Sequence, residues 1–175
     1  MKILVLNGSP RKNGNTAAHV HAFQNGAEKA GHTVSVLSVG SMQIKGCIAC
    51  EFCHGKGEGT CVMQDDMQKV IAGIREADMI VFASPIYYYG FTGQMQDLLS
   101  RFYSFYKPEK GKQYALFTSS IEKGAAEGVI KQYRLLLGFF EGEDTGIFTA
   151  SDDEKTNQDG AFLKELEEFG ASLKN

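Results

Sequence analysis

Short unbroken apolar runs alternate along this chain with longer stretches in which apolar residues recur every three or four positions. KILVLN at 2–7 is a continuous β-rich run ending at Gly8, as a strand buried on both faces would. Over 16–30, Ala17, Val20, Phe23, Ala27 and Ala30 share one face and Gly31 stops the pattern, which predicts a helix with its C-terminal glycine. TVSVLSV at 33–39 predicts the second strand. Asp65 stands where it can cap a helix whose buried stripe is Met67, Val70, Ile71, Ile74 and Ala77. MIVFAS at 79–84 predicts a third strand, followed by a helix with Met95, Leu98, Leu99 and Phe102 on one face. YALFTS at 114–119 predicts the fourth, followed by a helix carrying Val129, Ile130, Tyr133, Leu136, Leu137 and Phe140. GIFTA at 146–150 is a short fifth strand, and Phe162, Leu166, Phe169 and Leu173 mark the closing helix. Five strands alternating with five helices predict an α/β fold, a parallel sheet covered on both faces.

One segment breaks the rhythm. Residues 40–64 join the second strand to the next helix with no periodicity of their own, and they carry all four cysteines. No repeat or linker divides the chain, so the expectation is one domain over 1–175 with a cysteine-rich loop at 40–64. Composition changes this picture little: 43% hydrophobic and 22% charged residues are ordinary for a soluble globular protein. A net charge of −3 argues against nucleic acid as the main partner. From Glu141 onward ten acids face three lysines, which leaves the first 140 residues at +4, a body able to hold a small anion. The opening apolar run is too short for a signal-peptide core, and every apolar run is strand-sized. The expectation is a cytoplasmic protein with reduced thiols, which makes structural disulfides the weakest reading of the cysteines.

After the first strand, NGSPRKNGNT at 7–16 leads straight into a helix. Ser9, Asn15 and Thr16 supply side-chain donors, Gly8 and Gly14 let the backbone approach, and Arg11 adds positive charge. Helix N-terminal N–H groups point the same way, so a phosphate fits. G-x-G-x-x-G is absent, and five residues separate Gly8 from Gly14 with Asn15 where a Walker loop needs lysine. A single terminal phosphate monoester suits the loop better than a dinucleotide or a nucleoside triphosphate. An ordinary capped turn is the plainer alternative.

A second loop, SPIYYYGFTGQMQDLL at 84–99, follows the third strand. Pro85 stiffens it, and tyrosines at a strand's carboxyl end can wall the pocket of a flat aromatic ligand. At least one of the three tyrosines is expected to be a core or interface residue instead. GSPRKNGNT paired with SPIYYYGFTGQMQ resembles the flavodoxin-like NAD(P)H-dependent FMN reductase family. With the cysteine loop added, the chain resembles its iron–sulfur flavoprotein branch.

The resemblance implies a 2-1-3-4-5 sheet and bound FMN. It implies phosphate contacts from Ser9, Arg11, Asn15 and Thr16, and ring contacts from Pro85, Ile86, Tyr87, Tyr88, Tyr89 and Gly90, largely through backbone amides. Thr118 and Ser119 stand where relatives place a third contact loop. It also implies hydride transfer from NAD(P)H to the flavin, electrons passing on to a quinone, free flavin or similar acceptor, and assembly as a homodimer or homotetramer. The rival within the same fold is an electron carrier between proteins without its own NAD(P)H site.

The cysteines are spaced C-x2-C-x2-C-x7-C: Cys47, Cys50, Cys53 and Cys61. Three such closely spaced thiolates can wrap one cubic [4Fe–4S] cluster, which the fourth closes. Gly55, Gly57 and Gly59 make the return to Cys61 supple. Free or redox-active thiols and a zinc site remain alternatives. His54 reads as a loop histidine, and His19, His21 and His32 read as surface residues on or just after the first helix. No protein acid or base is assigned.

Overall fold

The computed structural model describes residues 1–174. Strands β1 (Lys2–Asn7), β2 (Thr33–Leu37), β3 (Met79–Pro85), β4 (Gln113–Ser120) and β5 (Glu143–Ser151) form one parallel sheet in the order β2-β1-β3-β4-β5. The connecting helices are α1 (Asn15–Lys29), α2 (Met67–Glu76), α3 (Gly93–Arg101) and α4 (Glu127–Phe140), with α5 (Gly160–Ser172) after β5. This is the flavodoxin-like arrangement that the alternation of runs and the resemblance implied.

Side chains alternate across each strand, so the sheet serves two cores. Leu4, Leu6, Ile80, Phe82, Tyr114 and Leu116 face α2, α3 and α4. Ile3, Val5, Met79, Val81, Ala115 and Phe117 face α1 and α5. Strand β3 is buried along almost its whole length, which is why it reads as an unbroken apolar run. Helices α1 and α5 cross almost backbone to backbone. A Cβ on Gly26 would lie 1.8 Å from the Glu167 carbonyl oxygen, and one on Gly170 would lie 2.4 Å from that of Phe23. Among the described residues, no helix is long and apolar enough to cross a membrane.

Two strand boundaries differ from the sequence expectation by more than one residue. The edge strand β5 starts three residues earlier, at Glu143, because pairing with β4 needs only its backbone and tolerates the polar Glu143, Asp144 and Thr145. Strand β2 stops at Leu37, and Val39 turns inward at the start of a short 3-10 turn, Val39–Ser41. Because β1 lies between β2 and β3, the loops after β1 and β3 diverge at the carboxyl edge, where open α/β sheets leave a crevice.

Candidate functional site

The loop after β1 is shaped by its own short side chains. Asn7 Oδ1 accepts the Ser9 N–H at 3.0 Å, and Ser9 Oγ accepts the Arg11 N–H at 3.2 Å. These local bonds bend the chain into α1 without a regular ladder. Helix α1 begins after Gly14, which offers no side-chain cap, and its first turn holds no acid. Its leading N–H groups and positive dipole end are therefore left for a ligand. Thr16 Oγ1 and Ser119 Oγ lie 3.0 Å apart and tie the loop to the end of β4. The turn after β2 packs directly beneath: a Cβ on Gly40 would lie 2.1 Å from the Ser9 carbonyl oxygen.

Of the residues the sequence singled out, Ser9, Arg11, Asn15 and Thr16 meet Pro85, Ile86, Tyr87 and Ser119 around one open cleft at this edge. Among the described residues, Arg11 is the only cation lining it. Tyr88, Tyr89, Gly90 and Thr118 do not line it; Thr118 is fully buried, with its hydroxyl unpartnered. Tyr87 and Gly90 exchange backbone hydrogen bonds of 3.0 and 3.1 Å, closing a two-residue turn over Tyr88 and Tyr89. Both central tyrosines have positive φ, 49° and 63°. Asn and Gly are the usual occupants of such a turn, so two bulky residues there mark local strain. Tyr88 is wholly exposed and gains no packing in return.

The cleft also contains Ile121 and Asp152, which sequence reasoning missed. Asp152 belongs to the loop after β5, where no periodicity signals a role. Asn157 clamps that loop, its Nδ2 donating to Asp152 Oδ1 at 2.7 Å and to the Ser120 carbonyl at 2.8 Å. His19 supports it from below. The ring is fully buried, against the surface position expected, because α5 and the post-β5 loop cover that face of α1. Its Nε2 donates to the Asn157 carbonyl at 2.7 Å, and burial lowers its pKa below the usual histidine value despite that bond. His32 is buried too, with Nε2 bonded to the Leu173 carbonyl at 3.1 Å.

The four cysteines occupy a different place. The loop 40–64 leaves the phosphate-type loop at Gly40 and runs along α3 to its C-terminal end. There Cys47 N–H donates to Ser100 Oγ at 3.0 Å. Cys47, Cys50, Cys53 and Cys61 all line one small cavity with Arg101, Glu51 and Tyr103, and this cavity shares no residue with the cleft. Burial pushes the Cys53 thiol up, and the neighbouring Cys61 and Cys47 add to the shift. His54 packs against the rings of Tyr103 and Tyr106, with centroids 4.4 and 4.6 Å away. Four thiols form a donor set suited to thiophilic metals and iron–sulfur clusters. They are not gathered as a finished coordination sphere: among the described residues, no group of three or more His, Cys, Asp or Glu is disposed to hold a metal ion.

Arg101 anchors that cavity, and nothing in the sequence pattern marked it. Its side chain is wholly buried. Nη1 donates to Asp65 Oδ2 at 2.7 Å and to the Lys45 carbonyl at 2.9 Å, and Nη2 donates to Asp65 Oδ1 at 3.3 Å. Burial would weaken its hold on the proton, but Asp65 and then Cys61 outweigh it and the pKa is raised. Burial likewise works against ionised Asp65, yet Arg101 and the Met67 N–H hold its carboxyl below the usual value. The cap position of α2 is Asp66, which makes no side-chain cap bond, and Asp65 one residue before it accepts the Met67 N–H at 3.1 Å through the same Oδ1 that meets Arg101.

A 2-1-3-4-5 sheet with a cleft at its switch point and an uncapped first helix defines a flavodoxin-like protein. The chain belongs to the NADPH-dependent FMN reductase family, whose profile matches residues 1–143. It is 34% identical over 101 residues to an iron-sulfur flavoprotein of Methanocaldococcus jannaschii, a match covering 58% of this chain and 51% of that one. It is 37% identical over 101 residues to an iron-sulfur flavoprotein of Archaeoglobus fulgidus, covering 58% and 45%. The matched stretch spans about half the length of these relatives. Among solved structures, an NAD(P)H:quinone oxidoreductase from Methanothermobacter marburgensis superposes with a TM-score of 0.76 at 18% identity, covering 100% of this chain and 96% of that one. An archaeal flavodoxin superposes at 0.63 with 19% identity, covering 98% and 94%. At such identities these two speak for the fold alone.

Proposed function

We propose that this chain is an FMN-dependent oxidoreductase that passes electrons from NAD(P)H to a small acceptor such as a quinone or free flavin. The observation that carries this reading is the start of α1. It is uncapped by any side chain, free of acids in its first turn, and opens into a cleft lined by the cation Arg11. Those N–H groups, with the Ser9 and Thr16 hydroxyls and Asn15, suit one phosphate monoester. Pro85, Ile86 and Tyr87 supply the opposite wall for a flat ring, with the Tyr87–Gly90 turn following directly in the chain. When bound, FMN supplies the hydride and electron chemistry. The chain's part is to hold the phosphate, orient the ring and leave one face open. Tyr88, Tyr89 and Ile121 are exposed large apolar residues, two in the turn beside the cleft and one in its wall, and suit coverage by a second copy in a homodimer or homotetramer.

A second reading, an iron–sulfur flavoprotein carrying electrons between proteins, is favoured by one observation: all four cysteines line a single cavity. Cys47, Cys50, Cys53 and Cys61 would then hold a [4Fe–4S] cluster, which supplies one-electron chemistry. Stopped-flow mixing of FMN-loaded protein with NADH and with NADPH separates the two. Bleaching of the flavin absorbance by either nucleotide is expected. Bleaching by dithionite alone replaces the reductase with the carrier.

A further inference from the structure

We propose that Arg101 is the positioning residue of the four-cysteine cavity, holding an N–H donor and a fixed positive charge against thiolate sulfur that binds a thiophilic metal centre. This rests on the reading of the cavity as a metal site. Arg101 is the only cation among the residues lining the cavity, beside four cysteines and Glu51. Its side chain has no solvent exposure, and its two Nη groups are already committed to Asp65 and the Lys45 carbonyl. Nε is a buried donor that meets no hydrogen-bond partner among the described residues, and the Cys61 sulfur lies near enough to the guanidinium to raise its pKa. A buried guanidinium anchored at its far end, with one donor left over in a sulfur-lined cavity, is arranged to receive an anionic acceptor there.

A neutral thiol such as Cys61 is a weak acceptor and satisfies that donor poorly, whereas metal-bound thiolates are negatively charged and accept readily. Hydrogen bonds to ligand sulfurs and nearby fixed charge are among the features that set both the hold on the metal and the potential of a cluster. Asp65 completes the device. It neutralises the guanidinium on one side, fixes its orientation, and also receives the first N–H of α2, so the guanidinium is tied to a helix start. Glu51, which accepts from the Tyr103 hydroxyl at 3.0 Å, places an acid in the same lining. The guanidinium is thus the one positive group among these residues to balance sulfur charge.

The test uses the full chain, purified anaerobically and loaded with FMN, as wild type, Arg101→Lys and Arg101→Met. Each is incubated with ferrous iron and sulfide, and bound iron, bound sulfide and bound flavin are measured on the same sample. Loss of the iron–sulfur absorbance to a chelator is then followed, and the reduction potential is read by titration with low-temperature electron paramagnetic resonance. All three forms should retain FMN, which reports folding independently of iron. Arg101→Lys keeps a charge for Asp65 but has no Nε donor; it should bind iron and show a lower potential than wild type. Arg101→Met should release its iron more readily by roughly 10–100-fold, the usual cost of losing an outer-shell partner. Wild-type stability and potential in both variants would overturn the proposal. So would a wild-type chain that binds FMN but takes up no iron. Iron uptake without flavin would instead remove the FMN reading and leave the role of Arg101 standing.

Discussion

The cleft at the start of α1 rests on four strand ends that the sheet holds in register, whereas the cysteine cavity rests on a loop held by one buried ion pair and a few hydrogen bonds. In the cleft, much of what matters is backbone: an uncapped helix start and a turn after β3, with Ser9, Arg11 and Thr16 adding side chains to a geometry the sheet already imposes. In the cavity nearly everything is side chain, and its placement depends on Arg101 meeting Asp65. A fold can offer the first kind of site almost for free, while the second must be assembled by a particular long-range contact. Single substitutions should therefore weaken the cleft in steps but dismantle the cavity outright.

Asp65→Ala sharpens that contrast most. It leaves a wholly buried guanidinium without its counter-ion, and losing one partner of a buried pair costs about 3–5 kcal/mol. Urea denaturation should show that loss, and the four thiols should react faster with a soluble disulfide reagent. A loss below about 1 kcal/mol, the range of surface pairs, would mean the loop is held by something else.

The turn of Tyr88 and Tyr89 tests the cleft from the opposite direction. Tyr88 holds a positive φ while fully exposed, so glycine should relax the backbone at no cost in packing. Tyr88→Gly is expected to raise the melting temperature of the FMN-free protein by roughly 2–4 °C. FMN binding should weaken at the same time, because the turn loses its fixed shape. A variant that melts no higher than wild type would remove the strain from the account.

The smallest effect concerns His19 beneath the cleft. Its folded pKa lies below the ordinary value of 6.5, so on acidification the unfolded chain takes up a proton before the folded one does. Its contribution to stability is therefore complete above pH 6.5 and declines as pH falls toward the folded value. His19→Gln, which can still donate to the Asn157 carbonyl, should show a smaller drop in melting temperature between pH 7.5 and pH 5.5 than wild type. Equal drops would place the acid sensitivity elsewhere.

Much of this was legible in the sequence for a physical reason. Interior parallel strands are buried on both faces, so β1, β3 and β4 announce themselves as apolar runs, and Ser9, Arg11, Asn15 and Thr16 lie in one contiguous loop. The edge strand β5 leaves its polar first residues exposed, so only its apolar middle shows in the sequence. Arg101 looks like an ordinary surface residue of α3 until the fold brings Asp65, 36 positions away, to its guanidinium. Asp152 reaches the cleft from the far end of the chain by an equally non-local route. Tyr88 and Tyr89 lack the Asn-Gly signature that would have signalled their turn, and the burial of His19 depends on a helix that closes over it late in the chain.

The proposed seat of one FMN phosphate monoester at the start of α1 is tested directly by fluorescence titration of the apoprotein with FMN. Wild type should quench flavin fluorescence at a stoichiometry of one per chain. Arg11→Ala and Thr16→Ala should each weaken binding by roughly tenfold to a hundredfold, the range for a lost charge-assisted contact. Riboflavin, which lacks the phosphate, should bind weakly to all forms and discriminate little between them. A double variant that binds FMN as tightly as wild type would contradict the account.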